Sequence, residues 1–233
     1  MKKLTANFYP ANEPKNGYIG KANITIADAI RLNGISVFQN AMDGTINISF
    51  PEFGDGASYV VPKSKEAYAA MAAVVAKAVE NEKHFGYTTG EYGPFMNVTG
   101  HAVSEPYADA RFSIEVEDTC ILYGISTRVV DYQKDGKDHS FVSVDFPTIG
   151  TYENAEGELQ YRRAFDGRVS KWTDREGKEQ SRDYGQLLNG LVLSERHNLL
   201  ERKPSLDSQM KDADQRKEVP AAAHDAPAME AVR

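Results

Sequence analysis

The clearest pattern in the chain is an alternation of apolar and polar residues that occurs twice. Residues 22–36 read ANITIADAIRLNGIS and residues 112–126 read FSIEVEDTCILYGIS, so the apolar positions coincide at a constant offset of 90. Alternation with a period of two is typical of a half-buried β-strand. The pattern therefore predicts one half-buried strand that the chain uses twice.

Each copy continues to a Phe-Pro pair, at Phe50-Pro51 and at Phe146-Pro147, where the offset has risen to 96. The extra residues are assigned to a turn, because AMDGT in the first copy corresponds to YQKDGKDHS in the second. Asp-Gly between alternating apolar residues is a strong hairpin signal, and hairpin turns tolerate insertions. The two segments are therefore interpreted as a duplication.

A helical pattern follows each copy. Residues 62–83 carry an apolar stripe behind Ser64, a residue type preferred at the N-cap, and residues 181–200 carry a second stripe. The predicted apolar faces consist of Tyr68, Met71, Val75 and Val79 in the first helix and of Tyr184, Leu187, Leu188, Leu191 and Val192 in the second.

These elements predict an α+β fold. Each unit is expected to be a small antiparallel sheet followed by one amphipathic helix, which covers the sheet because so small a sheet cannot bury its apolar side alone. The predicted units are residues 1–93 and residues 94–200, and the segment FGYTTGEYGPF at 85–95 has the Gly and Pro of a linker. Residues 201–233 contain almost no large apolar residues and are expected to be a disordered polar tail.

Composition narrows the function classes. The net charge of −7 argues against loose, charge-driven binding of nucleic acid over the whole surface. The chain has no apolar run of membrane-spanning length and no apolar segment of a signal peptide near Met1, so a cytoplasmic protein without membrane contact is expected. Cys120, the single cysteine, coincides with Ile30 in the repeat and is predicted to be a core residue.

The motifs of common enzymes are missing from the sequence. The five histidines are scattered without metal-ligand spacing, and there is no nucleophile elbow, phosphate loop or dinucleotide fingerprint. Asp28 and Asp118 recur at equivalent positions, which is interpreted as a strand-edge polar group repeated by duplication. Neither a cofactor, a metal nor an enzymatic activity is therefore predicted.

The most distinctive chemistry lies in an insertion before the second helix. Residues 161–182 hold seven basic and four acidic residues, a local charge of +3 within residues 95–200, whose net charge is −6. The segment LQYRRAFDGRVSKW predicts a hairpin that turns at Asp166-Gly167, with Tyr161, Arg163 and Phe165 on one face and Trp172 closing it.

Arg and Lys neutralise phosphates while aromatic rings stack on bases, so this hairpin is a candidate nucleic-acid interface. Its predicted binding residues are Tyr161, Arg162, Arg163, Arg168, Lys171, Trp172, Arg175, Lys178 and Arg182. The alternative is a solvated hairpin whose aromatic rings pack on the sheet and whose arginines pair with Glu153, Glu156 and Glu158.

The two runs DGTINISFPEFGDGASYVVPKSKEAYAAMAAVVAKAVE and HSFVSVDFPTIGTYENAEGELQYRRAF resemble the SpoVG (stage V sporulation protein G, septation regulator) family. In that family a strand pair with a Gly-containing turn ends in Met-Pro-Ser, and a loop, a Pro-containing segment and an amphipathic helix follow. Here Phe50-Pro51 and Phe146-Pro147 replace Met-Pro, and Pro62 is the second proline. The resemblance covers most of residues 20–83 and 108–198.

The resemblance implies a DNA-binding regulator whose units pair through their sheets, so that two copies in one chain form a pseudo-dimer. The family's basic loop is EFGDG in the first copy, which directs the expected binding role to the second copy. The first hypothesis is therefore a non-enzymatic SpoVG-like regulator, of bacterial or mobile-element origin, that binds DNA or RNA.

The second hypothesis is an acidic protein-interaction module or inhibitor, such as an anti-CRISPR-type nucleic-acid mimic, that occupies a groove of a basic nucleic-acid-binding protein. Open sheet edges could also form a homodimer. The predicted partner-binding residues are Asp131, Asp135, Asp138, Asp145, Glu153, Glu156 and Glu158.

Overall fold

The computed structural model describes residues 3–81, 94–174 and 176–201. The strands are β1 (Leu4–Lys15), β2 (Tyr18–Ile26), β3 (Ile30–Gln39), β4 (Ile46–Ser49), β5 (Val60–Pro62), β6 (Met96–Glu105), β7 (Ala108–Val116), β8 (Cys120–Lys134), β9 (Lys137–Asp145), β10 (Thr148–Glu153), β11 (Leu159–Arg163), β12 (Phe165–Gly167), β13 (Val169–Thr173) and β14 (Glu179–Asp183). The helices are α1 (Lys65–Asn81) and α2 (Tyr184–Glu201). The predicted linker and the predicted tail lie almost entirely outside the described residues.

The strands form two five-stranded sheets and two ribbons, all with antiparallel pairs. The first sheet has the order β1-β2-β3-β12, and β4 also pairs with β3. The second sheet has the order β5-β8-β7-β6, and β9 also pairs with β8. The ribbons are β10–β11 and β13–β14. The α+β class predicted from the sequence is confirmed.

Each sheet is completed by a strand from the other half of the chain. Strand β12 pairs with β3 and places Phe165 opposite Leu32, whereas β5 pairs with β8 and places Val60 opposite Leu122. Leu32 and Leu122 are equivalent in the repeat, so the two exchanged strands have the same register. Residues up to Leu199 accordingly form one compact unit.

The single half-buried strand predicted over residues 22–36 is wrong, because the chain reverses at residues 27–29. Ala27 and Asp28 have positive φ angles of 48° and 56°, and Ala29 donates a backbone hydrogen bond of 2.9 Å to Ile26. The turn pairs Ile26 with Ile30, so the apolar positions on both of its sides face the core. The alternation of apolar and polar residues therefore continues through the turn, so it gives no sign of where the chain reverses.

The extra residues of the second copy also lie elsewhere than predicted. In the first copy, residues 40–45 connect β3 with β4, whereas only Asp135 and Gly136 connect β8 with β9. Their φ angles of 52° and 71° suit the twist of a tight two-residue hairpin. The insertion therefore lengthens the strands into an arm, residues 128–143, that carries mostly exposed side chains.

One apolar core joins the two sheets and the two helices. Phe165 is fully buried in it, beside isoleucine and leucine side chains from both sheets. Burial of apolar area is the main stabilising contribution here, because it removes about 25 cal/mol per Å² from contact with water. Cys120 is buried as predicted, and desolvation by burial raises the pKa of its thiol to about 12.

The helices follow their predicted patterns closely. Ser64 caps α1, since its Oγ accepts a hydrogen bond of 3.0 Å from the amide of Ala67. Asp183 caps α2 by accepting from the amide of Gly185 at 2.8 Å. Of the predicted inward residues, Leu187 is exposed, three are half-buried and the others are buried; the half-buried residues are Tyr68, Val79 and Leu191. In the described part of the chain neither helix is long and apolar enough to cross a membrane.

Candidate functional site

The basic segment that was predicted to be one hairpin forms parts of two ribbons. Asp166 and Gly167 do not form a turn but belong to β12 in the first sheet. Gly167 is required there for another reason, because a Cβ atom would lie 2.3 Å from the backbone nitrogen of Gly185 at the start of α2. Phe165 is fully buried, so it does not share an exposed face with Tyr161.

The predicted nucleic-acid-binding residues are therefore divided between the ribbons. Strand β11 carries Tyr161, Arg162 and Arg163, whereas β13–β14 and its neighbours carry Arg168, Lys171, Trp172, Lys178 and Arg182. Arg175 lies outside the described residues. The side chain of Arg182 lies over the indole ring of Trp172 at 5.7 Å, so Trp172 packs within its own ribbon rather than closing a larger hairpin.

Arg168 is engaged away from both ribbons. Its Nη1 lies 3.4 Å from a carboxylate oxygen of Asp28, in the turn between β2 and β3. Asp28 is therefore a turn residue with an ion pair and not the strand-edge group predicted from its recurrence. The pair connects the segment after β12 to the end of the first sheet.

The β10–β11 ribbon borders a groove on the outer face of the first sheet, the face turned away from the core. The groove has a volume of about 690 Å³ and draws its walls from both halves of the chain. Its lining consists of Tyr9, Pro10, Ala11, Tyr18, Lys21, Asn23, Arg31, Asn33 and Gly34 from the first half and of Tyr152, Tyr161, Arg162, Arg163 and Asp166 from the second. We call this the basic groove.

Within residues 3–81, 94–174 and 176–201, three cations of the basic groove have no acidic partner. Within the described part of the chain, no carboxylate lies within 4.0 Å of Lys21, Arg162 or Arg163, whereas Arg31 pairs with Asp166 at 2.9 Å. The alternative interpretation predicted ion pairs between the hairpin arginines and Glu153, Glu156 and Glu158. In the described part of the chain, Arg162 and Arg163 do not form them. The groove consequently carries a surplus of positive charge.

The environments of the three cations differ. Lys21 Nζ donates to Ser36 Oγ at 2.8 Å, and desolvation by burial lowers the pKa of this lysine. The guanidinium of Arg162 lies over the ring of Tyr152 at 5.6 Å, and that of Arg163 lies over a phenylalanine ring at 5.2 Å. All three remain hydrogen-bond donors toward the groove, and an anionic ligand would compensate their charge.

Exposed tyrosine rings stand beside these cations. Tyr9 in β1 is 45% exposed, and Tyr152 and Tyr161 in the ribbon are 46% and 69% exposed. Because Tyr161 pairs across the ribbon with Thr151 while Tyr152 pairs with Gln160, the two rings leave opposite faces of the ribbon. The groove therefore combines flat aromatic surfaces with unpaired positive charge.

Asn33 fixes the ribbon to the sheet. Its side-chain Nδ2 donates to the carbonyl of Arg163 at 3.1 Å and to Asp166 at 2.8 Å, and its amide donates to the carbonyl of Ala164 at 2.8 Å. These bonds hold the end of β11 against β3. They place Arg163 and its neighbours at a defined distance from the sheet.

The repeated Gly-Ile-Ser sequence is explained by a close approach at its glycine. Gly34, with a φ of 69°, stands in a bulge opposite Asn23, and a Cβ atom there would lie 2.4 Å from the Cδ1 of Ile149. Gly124, with a φ of 85°, is covered in the same way by the ring of Phe53. Ile149 and Phe53 each stand three residues after the Phe of a Phe-Pro pair. Each thus crosses to the opposite sheet and packs against the bulge there.

A second groove occupies the equivalent place on the second sheet. It has a volume of about 630 Å³ and an apolar wall that includes Phe53, Val61 and Tyr123. Arg111 stands where Lys21 stands in the basic groove, but it pairs with Glu105 at 2.5 Å. Hydrogen bonding from the arginine holds the pKa of that glutamate below its usual value. We call this the apolar groove.

The predicted acidic residues lie on two separate hairpins. Asp131, Asp135 and Asp138 lie on the arm, Asp145 lies at its base and pairs with Arg128 at 3.2 Å, and Glu153, Glu156 and Glu158 lie at or near the tip of the β10–β11 ribbon. Among the described residues, no group of three or more His, Cys, Asp or Glu side chains has an arrangement suited to a metal ion.

Comparison with known proteins gives no match of this chain to a family model, to a curated protein or to a solved structure. The function is therefore argued from the groove itself.

Proposed function

We propose that this protein is a non-enzymatic nucleic-acid-binding regulator and that the basic groove is its interface. The observation that carries the proposal is the presence, beside exposed tyrosine rings, of Lys21, Arg162 and Arg163, which have no acidic partner among the residues that the structure describes. Phosphate oxygens are the natural partners of such cations, and bases are the natural partners of such rings. Small anions would use the charges but leave the rings exposed.

The acidity of the chain is compatible with a local interface. A net charge of −7 repels nucleic acid at a distance, but exposed charges are screened beyond about 8 Å at physiological ionic strength. Contacts within the groove are shorter than that distance. Binding is therefore expected to be confined to the groove rather than spread over the surface.

We further propose that the chain holds two SpoVG-like units as a pseudo-dimer. The equal register of the exchanged strands and the equivalent bulge glycines Gly34 and Gly124 support this assignment. In such an arrangement the unit at 1–93 and the unit at 94–200 complete each other. Assembly of two chains through the remaining sheet edges stays a prediction.

The proposal is tested by titrating fluorescent oligonucleotides at several salt concentrations. Affinity should fall linearly in a plot of log K against log salt, and the variant with Arg162→Glu and Arg163→Glu should lose roughly one unit of slope for each phosphate contact removed. Arg182→Glu, on the other ribbon, is the matched control and should bind as the wild type does. Absence of binding at low salt, or equal binding by the double variant, would contradict the proposal.

A second candidate function rests on the arm. The register places Val130 opposite Phe141 and Tyr132 opposite His139 on one face, and the Tyr132 ring lies 5.3 Å from that of His139. Asp131 and the other acidic residues of the arm lie on its opposite face or at its tip. Such an amphipathic arm suits a basic protein partner, as expected of an inhibitor.

Charge reversal separates the two candidates. A variant with Asp131→Lys and Asp138→Lys should lose capture of a basic nucleic-acid-binding protein from nuclease-treated lysate while keeping its affinity for oligonucleotides. If capture survives the reversal, the acidic face is not the contact and the mimic hypothesis fails.

A further inference from the structure

The shape of the basic groove bears on which form of nucleic acid it holds. A volume of about 690 Å³ lies within the range of small-ligand pockets, which is roughly 300–1,000 Å³. A duplex is too wide to enter such a space and would have to lie across its mouth. A short stretch of one strand can enter it.

The exposed tyrosine rings also favour a single strand over a duplex. Tyr9 and Tyr161 come from different walls of the groove and show 45% and 69% of their surface to solvent. In a duplex the faces of the bases are already stacked on each other, so these rings would find nothing to stack on. Unpaired bases offer those faces, and each stack contributes about 1–3 kcal/mol.

The ribbon is also unsuited to a duplex. A two-stranded ribbon fits the major groove of DNA when its tip or face is basic. Here the tip carries Glu156 and Glu158, and the exposed carboxylate of Glu153 stands at the end of β10. Insertion would bring these three negative charges between two phosphate backbones.

We infer that the basic groove binds a single strand whose unpaired bases stack on Tyr161 and its neighbouring rings; this inference rests on the proposed function and specifies its ligand. Lys21, Arg162 and Arg163 contact the phosphates between the stacked bases. The amide side chains of the groove are partly used within the protein, because Asn23 accepts from Gly34 at 3.2 Å and Asn33 donates to Asp166. Stacking and phosphate contact dominate, so DNA and RNA strands bind with little sequence preference.

The test compares fluorescent oligo(dT), oligo(rU) and a blunt duplex of mixed sequence in anisotropy titrations with the full chain. Tyr161→Leu removes the aromatic face, and Tyr161→Phe keeps it while removing only the hydroxyl group. Tyr107→Leu, at a 77% exposed tyrosine outside the groove, is the matched control. All of these positions are exposed, so the variants are expected to fold, which a thermal melt verifies.

Both oligo(dT) and oligo(rU) should bind more tightly than the duplex. Tyr161→Leu should weaken single-strand binding roughly 5- to 100-fold, as expected for one lost stack, while Tyr161→Phe and Tyr107→Leu leave it unchanged. Equal or tighter binding of the duplex, or no effect of Tyr161→Leu, overturns the inference. Duplex binding that depends on Arg162 and Arg163 but not on Tyr161 overturns it while leaving the proposed function standing, and absence of binding to every probe overturns both.

Discussion

The two grooves occupy the same place on two similar sheets but offer opposite chemistry. In the basic groove Lys21 has no acidic partner in the described residues, while in the apolar groove the equivalent Arg111 is neutralised by Glu105. Asp166 is held by Arg31 in the first sheet, whereas Val61 stands at its equivalent position in the second. A shared scaffold therefore fixes where a groove forms, and a few outward-facing positions decide what it can hold.

The difference arises from the segments that cross between the halves. After Pro51 a short loop reaches the second sheet, whereas after Pro147 the chain forms the β10–β11 ribbon before reaching the first sheet. The ribbon supplies its tyrosines and arginines to a sheet built from the other half. The half with the short loop is thus part of the candidate site, although the sequence directed the binding role to the other half.

The largest effect is expected at Phe165 and Val60, the equivalent side chains of the two exchanged strands, because they differ in size. Phe165→Ala should lower the free energy of unfolding by about 3–5 kcal/mol, because a fully buried ring leaves a cavity in the first sheet. Val60→Ala, at the equivalent position, should cost less because fewer atoms are removed. Urea denaturation of both variants measures the difference. A smaller loss for Phe165→Ala than for Val60→Ala would break the equivalence of the two strands.

The bulge glycines provide the second comparison. Gly34→Ala should destabilise the protein by roughly 1–3 kcal/mol, since it combines a left-handed backbone with a contact of 2.4 Å to Ile149. Gly124→Ala has longer contacts, of 3.0–3.2 Å, and should cost less.

The same two glycine variants test whether the contact between Gly34 and Ile149 positions the β10–β11 ribbon. Gly34→Ala displaces Ile149 at the start of the ribbon and should weaken oligonucleotide binding, whereas Gly124→Ala should not. Thermal melts and titrations on the same samples measure both effects. Equal binding by the two variants would show that the packing of Ile149 against Gly34 does not position the groove.

The third comparison concerns the equivalent cations. Lys21→Gln should weaken oligonucleotide binding roughly 10- to 150-fold, because a charged contact contributes about 1.5–3 kcal/mol. Arg111→Gln should leave binding unchanged, since Arg111 is already paired. Anisotropy titrations at low salt measure both variants, and equal losses would mean that the apolar groove also contacts the ligand.

The lowered pKa of Lys21 gives this comparison a pH dependence. As pH rises through that lowered pKa, the ammonium loses its charge earlier than an ordinary lysine would, so wild-type affinity should decline on the alkaline side. Lys21→Arg keeps its charge throughout and should retain its affinity. Identical alkaline profiles of wild type and Lys21→Arg would remove Lys21 from the interface.

The smallest effect is expected at Cys120, which faces the core as Ile30 does in the other half. Because burial raises the pKa of this thiol to about 12, a thiol reagent at pH 8 should leave the folded protein unlabelled and label it fully in urea. Ser140→Cys, on the exposed arm, is a positive control. Rapid labelling of folded Cys120 would show that the inner faces of the two sheets are not equally closed.

Much of the fold could be predicted from the sequence because it follows local rules. The period of two revealed the strands, and Ser64 with the apolar stripe behind it revealed α1. The turn after Ile26 could not be predicted, since Ala27 and Asp28 adopt positive φ angles without a glycine to signal them. The exchange of β5 and β12 between the two sheets could not be predicted either. Each of these strands has only three residues, too few to show an alternation with a period of two, and tertiary packing decides which strand each one pairs with.

The candidate site could be predicted only in part. Arg162 and Arg163 stood out as local positive charge, but Lys21 and Tyr9 resemble the ordinary polar face of a strand. Only the first sheet and the ribbon together show that these residues line one groove. The division of the basic segment into two ribbons also depends on Gly167, whose close contact with α2 has no local signature.

The exchange of strands has a consequence for synthesis on the ribosome. Arg31 and Asp166 pair across 135 residues of sequence, so the part of the β3 edge at Ile30–Leu32 stays unpaired until the segment around Phe165 has been made. Contacts of such long range form slowly and leave an open strand edge exposed meanwhile. A chain truncated before β12 would present that edge permanently, and its first half would be prone to aggregate rather than to fold alone.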